Sequence, residues 1–299
     1  MDQNIKPGNS NRITREYFDS LLIEMRHVDA VIPDTRLNLY GETFASPVMI
    51  AALSHLERYH PEGLAEMARG AKAAEAVMWA GMGNEEELDR IIATGAKTIK
   101  IIKPYADNDI IFRKIAHAEK CGCIAVGMDI DHAYDRNGEY DVTLGFHMSG
   151  KTLNEIREFV KSTRLPFIMK GVLSLKDAVL YAGAGVQGVV ISHHHGIMDY
   201  AVPPLYVLPE IVREIGGKMP IFVDCCVESG YDVFKALALG ATAVSVGRAM
   251  MGQLSENGAD GVRDRVLEIT AQLKGVMAKT CSPDISNIDS SVIRNAFIR

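Results

Sequence analysis

Side chains able to do chemistry stand in two apolar runs near the middle of the chain. One run contains Lys170, and the next ends with Ser192 and His194. Successive side chains of a strand alternate between its faces, so Ser192 and His194 are expected on one face. His193 and His195 would then face the other way. If both runs belong to one parallel sheet, a cation, a hydroxyl and an imidazole meet at its carboxyl edge, where catalytic groups of α/β enzymes collect.

Short apolar runs recur after residue 45, and each is followed by a segment with helical periodicity. The runs are Pro47 to Ala52, Ala76 to Ala80, Thr98 to Lys103, Ile124 to Ile130, Pro166 to Val172, Gly188 to His194, Pro220 to Cys226 and Ala243 to Gly247. Eight strand and helix units over about 250 residues match a (β/α)8 barrel, the TIM barrel, in number and size. The sequence therefore predicts one TIM-barrel domain over residues 1–299.

Two stretches fall outside this regular pattern. Residues 1–45 are expected to form an irregular N-terminal segment, mobile up to about residue 13 and with one helix between Glu16 and Val31. Residues 131–151 follow the fourth apolar run and are long enough to form an active-site loop over the mouth of the barrel.

The composition is that of a soluble globular protein. Apolar residues make up 47% of the chain and the formal net charge is −6, with no cluster of lysine or arginine, which argues against a nucleic-acid partner. No run approaches the roughly 18 apolar residues of a membrane span, and the amino terminus lacks the apolar region of a signal peptide, so a cytoplasmic protein is expected. The five cysteines lack CxxC spacing, which favours reduced thiols over zinc ligands or disulfides.

Four motifs carry a resemblance to a known family. They are MKGV at 169–172, SHHHG at 192–196, DVFKALALGATAVSVGR at 232–248, and SPVMIAAL with HPEG between 46 and 63. In type and spacing they resemble the FMN-dependent 2-hydroxy acid oxidase and dehydrogenase family, which includes glycolate oxidase and lactate oxidase. The resemblance extends from roughly Ile13 to Arg294. It implies an FMN cofactor, a small-molecule substrate and a homotetramer.

The resemblance also implies where FMN binds, which is at the carboxyl mouth of the barrel with its ring over the first, fifth and sixth predicted strands. The residues implied to contact it are Ala51, Ala52, Lys100, Lys170, Ser192, Asp224, Gly247 and Arg248. Lys170 would lie beside the flavin N1 and C2 carbonyl, where a fixed cation favours the anionic reduced flavin. Gly247 and Arg248 would hold the phosphate, because glycine lets the backbone approach closely and arginine supplies a charged fork.

For catalysis, the resemblance implies hydride transfer from the substrate carbon to flavin N5 with His194 as the base. A neutral imidazole suits this role because it titrates near neutral pH. Asp129 matches the family's aspartate that hydrogen-bonds this histidine, and Arg136 falls where the family places a mobile active-site arginine. Together with Lys170, these residues form the implied catalytic set.

Departures from the family pattern bear on the substrate. Ile197 stands where the family has the arginine that clamps the substrate carboxylate, so Arg136 is the remaining candidate partner and small 2-hydroxy acids are expected to bind poorly. The other departures are Lys100 and Ile102 at the family's third-strand Gln and Tyr, Cys225 and Cys226 at its Gly-Gly, and Glu228 at a frequent phosphate-binding arginine. The family's helical N-terminal segment, with its substrate-side tyrosine, is not recognised in this sequence.

Other functions stay open from the sequence alone. A flavin-dependent isomerase or reductase would use the same barrel without net oxidation of a hydroxy acid. A metal-dependent lyase or aldolase-like barrel would use Lys170 as an amine nucleophile, or an N/O ligand set made of Asp129, Asp131, His132 and His194. A barrel without catalysis would serve as a binding or structural subunit, although the joint presence of the implied catalytic set argues against this reading.

Overall fold

The structure is a computed structural model that describes residues 6–296. Along this part of the chain the strands are β1 (Leu21–Ile23), β2 (Leu37–Leu39), β3 (Glu42–Phe44), β4 (Val48–Leu53), β5 (Met78–Ala80), β6 (Thr98–Ile102), β7 (Ala125–Asp129), β8 (Val142–Thr143), β9 (Phe146–His147), β10 (Phe167–Val172), β11 (Val189–Ile191), β12 (Ile221–Val223), β13 (Ala243–Val246) and β14 (Ile293–Asn295). The α-helices are α1 (Ser10–Ser20), α2 (Gly63–Ala73), α3 (Glu85–Ala93), α4 (Asn108–Lys120), α5 (Leu153–Lys161), α6 (Leu175–Gly183), α7 (Pro204–Ile215), α8 (Gly230–Ala238) and α9 (Arg248–Lys279).

Eight of these strands close into a parallel barrel, in the order β4, β5, β6, β7, β10, β11, β12, β13 and back to β4. The closing pair aligns Val244 of β13 with Val48 of β4. These strands are almost continuously apolar because each is buried on both sides, by the barrel interior and by the surrounding helices. The predicted TIM barrel is confirmed, and each predicted apolar run overlaps one barrel strand.

Alternate residues of each barrel strand face the interior, and the others face the helices. Interior side chains that pack together include Met49, Trp79, Ile101, Ile168, Val190 and Phe222. The hairpin of β2 and β3 adds Leu37, Leu39 and Phe44 to this cluster, and Tyr40 at its turn donates to the carbonyl of Gln187, just before β11. The hairpin therefore covers the amino end of the barrel, and the polar site lies at the carboxyl end.

The N-terminal segment is more regular than predicted. Helix α1 begins at Ser10, within the stretch expected to be mobile, and Asn9 caps it by accepting a hydrogen bond from the backbone N–H of Arg12. The helix predicted between residues 16 and 31 overlaps it only over the last turn, since β1 follows at Leu21 and pairs with β14. The sequence hid this helix because its buried face combines one large apolar residue, Phe18, with polar ones. Residues 1–5 lie outside the described residues.

Two barrel strands end earlier than predicted. β11 ends at Ile191 and β12 at Val223. Past these ends, φ is +47° at His194, +56° at His195, +69° at Cys225 and +58° at Cys226. A left-handed backbone cannot continue a strand. The expectation that side chains alternate through His194 is therefore wrong, although the residue still reaches the site.

Residues 131–151 form an ordered excursion at the carboxyl end. A 3₁₀ turn, Ile130–Ala133, follows β7 directly, and the small hairpin of β8 and β9 comes next. Backbone bridges at Tyr134 with Tyr140 and at Tyr105 with Met148 tie the excursion together and to the end of β6. A role as a lid stays a prediction. Within residues 6–296, no helix is both long and apolar enough to cross a membrane.

Candidate active site

A cavity of about 520 Å³ opens at the carboxyl mouth of the barrel. Its apolar wall is Ala51, Ala52 and Leu53 of β4. Its polar wall combines side chains from several elements, namely Asn11, Arg12 and Arg15 of α1, Lys170, His194, His195, Asp224, Glu228, Ser245 and Arg248. The predicted FMN contacts Ala51, Ala52, Lys170, Asp224, Gly247 and Arg248 all line this one cavity.

A compact network of charges lies below the cavity, on the inward faces of the barrel strands. Lys170 Nζ lies 3.0 Å from Asp129 Oδ1 and 3.4 Å from Asp224 Oδ2. Lys103 Nζ donates to the other oxygen of Asp129, Oδ2, at 2.9 Å. All four side chains are at most 10% exposed, so two buried cations and two buried anions compensate each other.

The network keeps its members charged. Burial alone would lower the pKa of Lys170, but Asp129, Asp224 and Asp131 outweigh burial and hold it well above its ordinary value. Burial would raise the pKa of Asp129, yet Lys170, Lys103 and His194 hold it well below its ordinary value. Lys170 therefore presents a permanent positive charge to the cavity.

His194 has a partner on each ring nitrogen. Nδ1 lies 3.1 and 3.2 Å from the two carboxylate oxygens of Asp131, and Nε2 lies 3.1 Å from Nε2 of His132. Asp129, predicted to hydrogen-bond this histidine, is 3.6 Å from Nδ1 and is turned toward the two lysines. Asp131 makes that hydrogen bond instead, because it projects from the 3₁₀ turn directly beside the ring. Sequence reasoning gave Asp131 and His132 only a possible metal role.

The neighbouring histidines anchor the turn that carries His194. His193 is buried, with Nε2 2.8 Å from Thr14 Oγ1 and Nδ1 accepting from the backbone N–H of Gly196 at 2.9 Å. Asn11 Nδ2 donates to the carbonyl of His195 at 3.0 Å. Helix α1 therefore fixes the turn from outside the barrel, and His194 is the member of the triplet that contacts the carboxylates of the barrel mouth.

Ser192 and the two following cysteines complete the floor of the site. Ser192 Oγ accepts from the backbone N–H of His194 at 3.0 Å, and Cys225 Sγ donates to Asp224 Oδ1 at 3.0 Å. Burial and the Asp224 carboxylate raise the pKa of Cys225 well above its ordinary value. Burial and Glu228 raise the pKa of Cys226 to about 11. Both thiols therefore stay protonated at neutral pH, which disfavours a redox role for them.

Arg136 lies outside the cavity. Its side chain is exposed on the loop after the 3₁₀ turn, and Nη2 donates to the carbonyl of Gly196 at 3.3 Å. The predicted arginine thus stands next to the histidine turn without lining the space where a substrate would bind.

Lys100 faces away from the site. Ile99 and Ile101 are the inward residues of β6, so the parity of the strand turns Lys100 toward the helices, where Nζ donates to the carbonyl of Gly81. The inward lysine of this segment is Lys103, the residue after the end of the strand. Lys100 is therefore not placed for the contact with the cofactor that the resemblance implied.

Lys100→Met should leave FMN affinity unchanged and raise the melting temperature at pH 7. Burial and then Lys114 lower the pKa of Lys100 from 10.5 to about 8. The unfolded chain therefore binds more protons between these values, and this group makes the free energy of unfolding increase as the pH rises from about 8 to about 10.5. Methionine keeps the volume without the charge, so this part of the pH dependence should disappear. Thermal unfolding at pH 7 and 10 and titration with FMN measure both effects, and a loss of FMN affinity would contradict the outward placement.

Arginines gather at the far end of the cavity, where α9 begins. Gly247 caps α9 without a side-chain acceptor, so the N–H groups of the first turn remain available to an anion. Arg248 is exposed and makes no hydrogen bond or ion pair with a described residue. From α1, Arg12 lines the same end, and Arg15 is held there by Asp232 at 2.8 Å. Sequence reasoning missed both, because 211 or more residues separate Arg15 from the partners that place it.

The metal-site alternative meets an electrostatic obstacle. Ligand atoms of Asp129, Asp131 and His194 do lie within 4.8 Å of one another. However, Asp129 is already bonded to Lys103 and paired with Lys170 at 2.9 and 3.0 Å. Two ammonium groups at that distance repel a divalent cation and occupy its most buried ligand. The arrangement is better suited to a pairing of protein charges.

The cavity fits FMN. Its volume of about 520 Å³ lies in the range of about 300–1,000 Å³ typical of cofactor pockets. The β4 wall is apolar, as a flat ring requires, and Lys170 supplies a cation. A Cβ on Gly247 would lie 3.4 Å from Ala51 Cβ and Leu53 Cδ2, so glycine keeps this space open. Arg248 and the start of α9 provide the charge and donors that a phosphate needs.

Comparison with known proteins agrees with this geometry. A model of the FMN-dependent dehydrogenase family matches residues 1–155 and 149–295. The chain is 29% identical to glycolate oxidase 2 of Oryza sativa, over 89% of this chain and 83% of that protein. It is 30% identical to 4-hydroxymandelate oxidase of Amycolatopsis orientalis, over 80% and 76%. A peroxisomal (S)-2-hydroxyacid oxidase of Arabidopsis thaliana is 28% identical over 89% and 83%.

Solved structures of a mandelate oxidase share the fold over nearly the whole chain. A variant with 4-Br-2-hydroxy-methylphenylacetate superposes with a TM-score of 0.87 at 27% identity, covering 95% of this chain and 91% of that one. A variant with the monooxide FMN adduct superposes with a TM-score of 0.86 at 27% identity, covering 97% and 92%.

Proposed function

The chain belongs to the FMN-dependent dehydrogenase family, and from this we propose that it oxidises a 2-hydroxy acid with His194 as the base. Its relatives and solved neighbours are named as glycolate, 2-hydroxyacid and mandelate oxidases. The observation that carries the proposal is the meeting of Lys170, His194 and Gly247 around one cavity. Anaerobic reduction of bound FMN by a 2-hydroxy acid tests it. Stoichiometric formation of the oxidised product distinguishes this reaction from a flavin-dependent isomerisation.

The reaction needs an electron acceptor, a base and a fixed cation. Bound FMN supplies the acceptor, taking the hydride that leaves the substrate carbon. His194 takes the hydroxyl proton, while Asp131, 3.1 Å from Nδ1, orients the ring and stabilises the charge that the ring acquires. Lys170, held between Asp129 and Asp224, keeps a positive charge at the cavity wall, where negative charge develops during the reaction.

The substrate carboxylate is the part that this site serves least well. Ile197 provides no charge at the position where the family has a clamp arginine, and Arg136 lies outside the cavity, bonded to Gly196. Lys170 is already balanced by two carboxylates. We therefore propose that the substrate is larger than glycolate or lactate, and that it carries an uncharged or bulky group where Ile197 and Met198 stand.

Small 2-hydroxy acids should reduce the bound FMN slowly. One missing charge-assisted pair costs about 1.5 to 3 kcal/mol, or about one to two orders of magnitude in affinity. Ile197→Arg should raise the efficiency of reduction by lactate by about tenfold or more, because it returns that pair. Anaerobic reduction by glycolate, lactate, mandelate and longer aliphatic 2-hydroxy acids measures both effects.

Met198→Arg is the matched control for this variant, since Met198 is the next residue and its side chain is 61% exposed. It adds the same charge at the surface and should leave the rates at the wild-type level. Fast, saturating reduction of the wild-type protein by micromolar glycolate or lactate would contradict the substrate proposal, because the cavity would then hold an anion clamp elsewhere.

The oligomeric state and the location stay predictions. A tetramer rests on the family resemblance alone, and light scattering on the purified protein would test it. A cytoplasmic location rests on the sequence, while one relative is named as peroxisomal. Fluorescence imaging of the tagged protein in its own cell would decide between them.

A further inference from the structure

Two histidines face each other at the mouth of the barrel. His194 Nε2 and His132 Nε2 are 3.1 Å apart, and the rings meet edge to face with centroids 4.2 Å apart at 72°. The other nitrogen of each ring faces a carboxylate. His194 Nδ1 lies 3.1 Å from Asp131 Oδ1, and His132 Nδ1 lies 3.1 Å from Asp141 Oδ2.

The positions of the protons follow from these four contacts. An ionised carboxylate only accepts hydrogen bonds, so each Nδ1 carries a proton and donates it. A neutral imidazole with Nδ1 protonated has a lone pair on Nε2. Two such lone pairs would repel each other at 3.1 Å. A proton between the two Nε2 atoms turns the same contact into a hydrogen bond, which leaves the pair with one positive charge.

We propose that His132 shares one proton with His194, and that the loss of this proton releases His194 Nε2 to act as the base. This proposal rests on the proposed function and deepens it. While the shared proton is present, no lone pair of His194 is free to accept the substrate hydroxyl proton. When it leaves, the opposed lone pairs push the rings apart, and Nε2 turns toward the cavity. His132 is thus a positioning residue, since it acts through His194.

The surroundings favour a positive charge on the pair. The charged and titratable groups that face it are Lys103 at the end of β6, Asp129 and Asp131 at the end of β7, Asp141 in the following loop, Lys170 of β10, His193 and His195 of the same turn, and Asp224 after β12. Lys103 and Lys170 are already balanced by Asp129 and Asp224. Asp131 and Asp141 remain to balance the shared proton.

The proton resides on the His194 side of the pair. Burial, Lys103 and His194 lower the pKa of His132, against the opposite effect of Asp141 and Asp129. His132 is therefore the neutral acceptor, and His194 is the donor. His132 is also the more easily displaced of the two, because it belongs to the 3₁₀ turn, Ile130–Ala133, that begins the excursion of residues 131–151.

The first test is the pH dependence of anaerobic flavin reduction by whichever 2-hydroxy acid the wild-type protein oxidises. The wild-type rate should fall at low pH, where the shared proton blocks the base. His132→Phe removes the acceptor, so the acid limb should move to lower pH by about one unit, the size of one charge-assisted hydrogen bond. The variant should then outpace the wild type at low pH. His147→Phe, which replaces an exposed histidine of the same loop, should keep the wild-type profile.

The second test needs no turnover, so it stands even if the proposed function fails. In the FMN-bound protein labelled with ¹⁵N-histidine, His132 and His194 should titrate together, with one Nε2 proton shared between them. In His132→Phe a single-site titration should remain. Separate titrations of the two histidines in the wild type, or an unshifted acid limb in a folded His132→Phe protein, would overturn the proposal. Unchanged shared titration without any flavin reduction would instead reject the proposed function alone.

Discussion

Replacing His194 by alanine should lower the rate of flavin reduction by a factor of about 10² or more, the usual weight of a general base, while FMN stays bound. The ring lines the cavity, and its Nδ1 is fixed by Asp131, so alanine removes the proton acceptor and little else. Lys170 and the phosphate end keep their contacts. Anaerobic stopped-flow reduction measures the rate, and the absorption spectrum of the purified variant shows whether FMN is retained.

The neighbouring histidines provide the controls for this prediction. His193 is buried against Thr14, so His193→Ala should lower the melting temperature more than the rate. His195 contacts Asn11 at the rim, and His195→Ala should cost less than His194→Ala. Equal losses of rate from all three variants, with FMN bound and the fold intact, would contradict the assignment of the base to His194.

The barrel and its inward-facing charges could be predicted from the sequence because simple periodicities decide both. Apolar runs alternating with amphipathic helices define the eight units, and parity within each strand then selects the faces. Asp129 and Lys170 are examples, since each is an inward residue at the carboxyl end of a regular strand and the two meet at 3.0 Å. The resemblance added the cofactor, which periodicity alone could not name.

Parity also explains the clearest miss. Lys100 was assigned to the cofactor by its match to a family motif, yet Ile99 and Ile101 face the interior, so Lys100 must face the helices. A strict count along β6 would have selected Lys103 instead, and the structure bonds that residue to Asp129. A one-residue slip of a strand exchanges its two faces, and a motif alignment over a few residues does not guard against that error.

The turns after β11 and β12 could not be predicted because their residue types disguise the backbone. Positive φ usually marks glycine or asparagine, but here it occurs at His194, His195, Cys225 and Cys226. The cysteines occupy the positions of the family's Gly-Gly, and their left-handed φ values are the conformation that glycine adopts most easily. The comparison with the family thus located this turn, whereas the residue types alone indicated a strand.

Helix α1 was hidden for a different reason. It docks through polar contacts to residues far along the chain, such as Thr14 with His193 and Arg15 with Asp232. Local hydrophobic periodicity carries no signal for contacts of this kind. The consequence is functional, since the helix brings additional arginines to the cavity opposite Glu228. The predicted shortage of positive charge for the phosphate is therefore smaller than the sequence suggested.

Arg248→Glu should raise the dissociation constant of FMN by about 100-fold or more. Loss of one charge-assisted contact to a phosphate costs about 1.5 to 3 kcal/mol, and a carboxylate adds repulsion at the same place. Arg248 is suited to this contact because it lines the cavity at the start of α9 and makes no ion pair with a described residue. Fluorescence titration of the protein, stripped of cofactor and refilled with FMN, measures the change.

Arg157→Glu is the matched control, because Arg157 is an exposed arginine of α5 whose one hydrogen bond is to Asn154. It makes the same change in net charge away from the cavity and should leave FMN affinity at the wild-type value. Higher ionic strength should narrow the difference between the variants, since the lost contact lies at an exposed rim. If Arg248→Glu binds FMN as tightly as Arg157→Glu does, the phosphate is held by Arg12 and Arg15 of α1, and the start of α9 is not its site.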